Sequence, residues 1–216
     1  MESFISSNAL IPEIGETTMK VLIATLYNPD PVLLACTRSS PDRLVLLIDE
    51  EPNKRQLAGL ELIKKSLGRV LDIKTVKLPV YDVVSIASEV VKIIDMQPKD
   101  DSIYINITSG RKTYAMGVLF GAYARSSLVK KIAYNPEDKG PVIYLPILSF
   151  KLNDSQKKIL LSLDKKKIES MTELATDTKI STAMVYRSLD ELKDMDFVEA
   201  TDEGFKLTDA GKIARL

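Results

Sequence analysis

The strongest constraint on the fold of this chain is a short apolar run that recurs between residues 20 and 145. Its first copy, residues 20–26, reads Lys-Val-Leu-Ile-Ala-Thr-Leu, which is typical of a strand buried on both faces of a parallel sheet. Further strands are predicted at residues 43–49, 70–78, 102–107, 131–134 and 142–145. Amphipathic helices are predicted at residues 53–67 and 83–96, and a long helix rich in small and apolar residues is predicted at residues 113–128. Another helix is predicted to start with Asp30 as its cap and Pro31 in its first turn.

This alternation of strand and helix predicts an α/β fold, with a Rossmann-like, mostly parallel sheet over residues 19–150. Ligands of such sheets bind beyond the carboxyl ends of the strands, in the loops that lead into helices. The loops that meet this condition lie at residues 25–30, 49–53, 78–82 and 108–112.

The pattern changes at residue 151, after which no buried strand run occurs. Helices are predicted at residues 155–163, 170–176, 182–195 and 209–216, with a hairpin of residues 197–200 and 205–208 before the last of them. Three helices followed by a two-stranded wing are typical of a small winged helix-turn-helix domain, which we assign to residues 151–216.

The chain has no His and a single Cys, Cys36, and these absences exclude several classes of site. A Ser-His-Asp triad and a His-ligated zinc or iron centre are impossible, as are an intramolecular disulfide and a Cys-rich metal cluster. Cys36 follows the apolar residues 32–35, so we expect a buried side chain rather than a nucleophile. No metal and no cofactor are expected.

Residues 1–18 lack the basic region of a signal peptide. We therefore predict that they form an N-terminal extension before the first strand. No apolar stretch is long enough for a transmembrane helix, so no membrane partner is expected. With one Cys and no leader, we expect a cytoplasmic location.

The predicted fourth strand leads into the polar sequence Thr-Ser-Gly-Arg-Lys. Thr108 and Ser109 supply hydroxyls, and Gly110 allows a tight turn of the backbone. Arg111 and Lys112 come at the start of a helix, where cations are unfavourable unless an anion is close. The segment therefore predicts a phosphate-bearing ligand. It is neither a G-x-x-x-x-G-K-[ST] nucleotide loop nor a G-x-G-x-x-G dinucleotide fingerprint.

This Thr-Ser-Gly-Arg-Lys segment, followed by a helix rich in small residues, resembles the signature of CRISPR-associated Rossmann fold (CARF) domains. With the C-terminal winged helix, residues 19–216 are similar to the archaeal CARF–winged-helix regulators. The resemblance implies a homodimer that binds cyclic oligoadenylate, the messenger of type III CRISPR antiviral defence, across its twofold axis. It further implies a transcriptional regulator, and the twofold symmetry of cyclic tetra-adenylate makes that ring the expected ligand.

The resemblance also implies a set of ligand-binding residues. The Thr-Ser-Gly-Arg-Lys segment would contact phosphates and riboses, and the loop after the first strand would lie near the bases. The predicted ligand-binding residues are Thr25, Tyr27, Asn28, Thr108, Ser109, Gly110, Arg111 and Lys112.

We expect a regulator without catalytic residues, but an enzyme is a second reading of the same resemblance. A ring nuclease would cleave the messenger by in-line attack of a ribose 2′-hydroxyl, which needs neither His nor a metal. Lys112 would then stabilise the developing charge, with Ser109 or Thr25 assisting.

The charge of residues 151–216 argues against strong DNA binding, because 12 Lys and Arg stand against 13 Asp and Glu. The wing tip, Asp202 and Glu203, is acidic, and Lys165–Lys167 are expected to form a solvated loop. We nevertheless predict contacts with double-stranded DNA, the alternative being a winged helix that contacts only protein. The predicted DNA-binding residues are Lys179, Ser181, Thr182, Tyr186 and Arg187.

Overall fold

A computed structural model describes residues 18–136, 140–202 and 204–216, and its N-terminal part is an α/β domain built on six strands. Almost all of the predicted extension and Glu203 of the wing tip lie outside the described residues. The strands are β1 (Lys20–Thr25), β2 (Arg43–Asp49), β3 (Asp72–Leu78), β4 (Ser102–Asn106), β5 (Val129–Tyr134) and β6 (Ile143–Leu145).

The sheet has the order β3-β2-β1-β4-β5-β6, and every neighbouring pair is parallel except the antiparallel pair β5–β6. The predicted mostly parallel, Rossmann-like sheet is therefore confirmed. The chain order reverses between β1 and β4, and crossovers that leave these two strands in opposite directions open a crevice beyond their carboxyl ends.

Helices cover both faces of this sheet, which explains why the middle residues of β1 and β2 are apolar on both faces. Along β1, Leu22 packs with α1 and α2, whereas Ile23 packs with α3 and α4. The helices are α1 (Pro29–Ser39), α2 (Lys54–Leu67), α3 (Val83–Asp95) and α4 (Lys112–Ala124).

The small residues of α4 let it lie close to α3. A Cβ atom at Gly117 would come within 2.6 Å of the Ile86 side chain, and one at Gly121 within 2.7 Å of Val90. These glycines are therefore required by close packing, and the start of α4 is held in a fixed place above the sheet.

The structure corrects several predicted boundaries. Helix α1 starts at Pro29 with Asn28 as its N-cap residue, so the prediction of Asp30 as the cap is wrong. The reason is that the fixed φ of Pro29 already suits a first helical turn. Strand β3 starts two residues late, because the N–H groups of Val70 and Leu71 close a turn on the Leu67 carbonyl.

Helix α4 ends at Ala124, four residues earlier than predicted. The next N–H groups leave the helical pattern: Arg125 donates to the Ala122 carbonyl and Leu128 donates to the Arg125 carbonyl. These tight turns allow β5 to begin at Val129.

The elements that follow residue 153 have the predicted order of three helices, a hairpin and a closing helix, and we call them the C-terminal unit. Their core includes Leu160, Leu174, Val185, Leu189 and Val198, all buried. The elements are α5 (Asp154–Lys165), α6 (Met171–Thr178), α7 (Thr182–Asp194), β7 (Val198–Thr201), β8 (Gly204–Leu207) and α8 (Asp209–Ala214).

Helix α8 connects the two units by packing against α3 and α4. At the end of α4, the Arg125 guanidinium binds the Asp95 carboxylate of α3 and also donates to the Leu216 carbonyl oxygen. Within the described part of the chain, no helix combines the length and the apolar character that a membrane span needs.

Cys36 provides a test of the α1 packing. Its side chain is buried, and desolvation raises the pKa of the thiol to about 11. At pH 8 roughly one thiol in a thousand is then ionised, so we expect native protein to react far more slowly with an aromatic disulfide reagent than urea-unfolded protein. Absorbance of the released thiol measures both rates, and rapid stoichiometric labelling of native protein would contradict the packing of α1.

Candidate functional site

The hydroxyl of Ser109 joins the two loops that lead into α1 and α4. Its Oγ accepts hydrogen bonds from the backbone N–H groups of Tyr27 at 2.9 Å and Asn28 at 2.8 Å, and it donates to the Asn28 carbonyl at 3.3 Å. A hydroxyl has one donor and two acceptor sites, so these bonds use its full capacity. Ser109, only 5% exposed, therefore shapes the site and has no bonding capacity left for a ligand.

The other half of the site is held by the residues around Thr108. The Asn106 side chain accepts from the Thr108 N–H at 3.1 Å, and Thr108 Oγ1 accepts from the Asn135 N–H at 2.8 Å. Gly110 follows with φ of 107°, a left-handed backbone conformation that favours glycine. The β4–α4 loop is thus tied to the chain beyond β5 as well as to the loop after β1.

These loops border a cavity of about 710 Å³ beyond the carboxyl ends of the parallel strands. Part of its lining was predicted from the sequence, namely Tyr27, Asn28, Thr108, Ser109 and Gly110. Other lining residues were not singled out, and the most informative are Asp30, Arg38, Arg55 and Asn135.

Three predicted ligand-binding residues do not line this cavity. Thr25 ends β1 with no exposed surface, so a ligand in the cavity cannot reach its hydroxyl without a rearrangement. Arg111 lines a larger cleft of about 1290 Å³, which is bordered by Tyr81 and by Asp209 of α8. Lys112 is exposed at the first residue of α4.

Three arginines near the carboxyl end of the sheet have neutral partners. Arg38 donates to the Asn135 side chain at 3.2 Å, Arg55 lies 5.6 Å from the centre of the Tyr27 ring, and Arg111 donates to the Tyr81 hydroxyl at 3.0 Å. Elsewhere, Arg43, Arg125, Arg187 and Arg215 all pair with carboxylates. Neutral partners orient a guanidinium without cancelling its charge, so these three guanidinium charges are not neutralised by an ion pair.

Buried hydrogen bonds fix the start of α4 against the ends of two strands. The Thr113 hydroxyl donates to the Val80 carbonyl after β3 at 2.8 Å, and the Tyr114 hydroxyl donates to the Ile48 carbonyl of β2 at 2.7 Å. Burial, with a smaller contribution from Asp49, raises the pKa of Tyr114 far above its usual range, so it stays a neutral donor. Lys112 is therefore presented from a rigid helix end.

The predicted DNA-binding residues lie together on an exposed surface at the α6–α7 junction. Lys179 ends α6 in a left-handed conformation, and the Ser181 hydroxyl caps α7 by accepting from the Met184 N–H. Tyr186 is 51% exposed, and Arg187 pairs with Glu191 at 3.1 Å. Thr182 is also exposed.

The lysine cluster before α6 differs from a freely solvated loop. Lys166 contacts the carboxylates of Asp177 at 3.0 Å and Glu173 at 3.3 Å, and these bonds raise the pKa of Lys166. No group of His, Cys, Asp and Glu able to hold a metal ion occurs within residues 18–136, 140–202 and 204–216.

The fold and the site define an α/β protein of the Rossmann-like type with a cavity at the switch point of its sheet that is lined in part by Arg38 and Arg55. Residues 20–139 match the family model described as HFX_2341_N:-like, N-terminal. The chain belongs to this HFX_2341_N-like family. No curated protein matches the chain by sequence.

Several solved structures are similar at low sequence identity. Can2 from Sulfobacillus thermosulfidooxidans, solved in complex with cyclic tetra-adenylate, is 14% identical over 89% of this chain, with a TM-score of 0.48. A type III CRISPR defence DNA nuclease activated by cyclic oligoadenylate is 11% identical over 74% of this chain and 24% of its own, with a TM-score of 0.45. Protein VC1899 from Vibrio cholerae is 11% identical over 90% of this chain and 64% of its own, with a TM-score of 0.46. The chain spans 62% of the length of Can2.

The bridging role of Ser109 predicts a loss of stability on its removal. In Ser109→Ala, the N–H groups of Tyr27 and Asn28 lose their acceptor, and we expect the free energy of unfolding to fall by about 1–3 kcal/mol. Urea denaturation measures this change. Ser66→Ala, on the exposed face of α2, is the matched control and should change stability by less than about 0.5 kcal/mol. Equal effects of the two substitutions would contradict the bridge.

Proposed function

We propose that this protein is a homodimeric sensor of cyclic oligoadenylate and a transcriptional regulator of a CRISPR system. The observation that carries the proposal is the set of arginines with neutral partners beside the hydroxyl-braced β4–α4 loop. The sequence resemblance to CARF–winged-helix regulators supplies the identity of the ligand.

The charge of the site supports a ligand with several phosphates. Arg38 and Arg55 line the cavity, and Arg111 and Lys112 begin the helix next to it. A cyclic oligonucleotide carries one negative charge for each phosphodiester, distributed around the ring. Cations that are spread along the carboxyl end of the sheet suit a ligand with several separated phosphates better than a ligand with one phosphate group.

The size of the cavity supports a dimer. A cavity of about 710 Å³ is in the range that encloses one drug-sized molecule, so it accommodates only part of a tetranucleotide ring. Two copies related by a twofold axis would present the same donors to both halves of a symmetric ring. Exposed apolar side chains on α4, on β6 and just after it are candidates for such pairing; these are Met116, Ile143, Tyr144 and Leu148.

Helix α4 offers a direct connection from the ligand to the C-terminal unit. It begins with Lys112 at the site and ends next to Arg125, which binds the Leu216 carbonyl beyond α8. A ligand that draws the start of α4 toward itself would shift α8 and the elements packed on it. The ligand changes DNA affinity only to the extent that it binds the two arrangements unequally.

Titration calorimetry with cyclic tetra-adenylate tests the sensor. We expect one ring for each pair of chains, and Lys112→Ala should weaken binding about tenfold or more through loss of a charged contact. Lys99→Ala removes the same charge before the amino end of β4, at the opposite end of the strands, and should leave the affinity unchanged. The absence of heat with rings of any size would overturn the proposal, and linear product after incubation would favour the ring nuclease.

Promoter DNA from a neighbouring CRISPR locus tests the second half of the proposal. If the α6–α7 surface contacts phosphates, Lys179→Ala should weaken DNA binding. The slope of log affinity against log salt concentration should then fall by about one released counterion for each substituted lysine. Lys130→Ala, on the exposed side of β5, is the matched charge control. Gel shifts across a salt series measure both effects. A protein that binds no duplex even at low salt would leave the C-terminal unit as a protein-contact module.

A further inference from the structure

We infer that Arg55 and Tyr27 form a base-recognition pair that makes the cavity selective for purine rings. The guanidinium carbon of Arg55 lies 5.6 Å from the centre of the Tyr27 ring, and both side chains line the same cavity. This inference rests on the proposed function, which it deepens by assigning the part of the site that distinguishes one base from another.

The backbone beneath both side chains is held by a single buried amide. Gln56, next to Arg55 and only 1% exposed, donates from Nε2 to the Leu26 carbonyl at 2.5 Å, in the peptide unit that leads into Tyr27. The N–H of Gln56 is itself capped by the Asn53 side chain at 2.9 Å. The first turn of α2 and the loop after β1 are thus fixed to each other.

Tyr27 is also held from its other side. Its N–H donates to Ser109 Oγ at 2.9 Å, so the loop that carries the ring is tied to the β4–α4 loop as well as to α2. A ring mounted on such a backbone loses little conformational freedom when a base stacks on it. Tyr27 therefore offers a prepared stacking surface at the wall of the cavity.

The Arg55 side chain, in contrast, is free to change partner. No carboxylate of the described residues lies within ion-pair distance of its guanidinium, and its contact is the face of the Tyr27 ring. A guanidinium is planar and weakly hydrated, and it stacks on a nucleobase as readily as on a phenol ring. A base that entered against Tyr27 would be covered by Arg55 on its other face.

Stacking of this kind favours purines, because a purine presents a larger flat surface than a pyrimidine. A phosphate contact made by Arg55 would act differently, since it would depend on charge and would be the same for every base. The two roles are separated by Arg55→Lys, which keeps the charge but removes the planar group. They are also separated by comparing an adenine ring with a uracil ring of the same size.

The experiment measures the affinity of the full-length protein for cyclic tetra-adenylate and cyclic tetra-uridylate by calorimetry. We expect Arg55→Lys to weaken binding of the adenine ring about tenfold, while binding of the uracil ring changes little. Tyr27→Leu should have the same selective effect. Arg69→Lys, just past the far end of α2, is the matched control and should change neither affinity. Equal urea midpoints for all variants establish that each is folded.

The possible results separate this inference from the proposed function. If the wild type binds the adenine ring and Arg55→Lys binds it with the same affinity, the inference is overturned, while the proposed sensor function still holds. Arg55→Ala is measured alongside these variants. If it weakens binding of both rings equally and Arg55→Lys restores that binding, Arg55 is a phosphate contact and the inference is also overturned. If the wild type binds neither ring, the proposed function is overturned, and the inference that depends on it is overturned as well.

Discussion

The hydrogen bonds made by the Ser109 hydroxyl hold together the part of the molecule on which the candidate site depends. They join the loops after β1 and β4, the two strands between which the order of the sheet reverses. Crossovers leave these strands in opposite directions, so their loops would otherwise separate at the crevice. One fully bonded side chain closes the gap and fixes the backbone of Tyr27 and Asn28.

The site also shows how a protein keeps positive charge available. Arg38, Arg55 and Arg111 are oriented by an amide, an aromatic ring and a phenol, while Arg43, Arg125, Arg187 and Arg215 contact carboxylates. A neutral partner does not provide the attraction of an ion pair, but it leaves the charge of the guanidinium unneutralised. Such an arrangement is useful when the missing counter-charge arrives with a ligand.

The contacts of α4 and α8 give the two units a shared element. The start of α4 is bonded to Ile48 and Val80, and its end is bonded through Arg125 to Asp95 and to Leu216. The close packing of Gly117 and Gly121 on α3 leaves α4 little room to bend. The two ends of this helix are therefore held in a fixed relation to each other by its contacts.

The sequence by itself determined the class of sheet, the loop at residues 108–112 and the burial of Cys36, because strand periodicity, turn chemistry and apolar runs are local patterns. It did not reveal that Arg38 and Arg55 would share a cavity with Tyr27, since nothing around them on α1 and α2 is unusual. Nor did it show that the Ser109 hydroxyl would form hydrogen bonds with the neighbouring loop, or that Thr25 would be buried next to Gly110. These facts follow from the order β3-β2-β1-β4, which brings residues some 80 positions apart into contact, and that order is decided by tertiary packing rather than by any local segment.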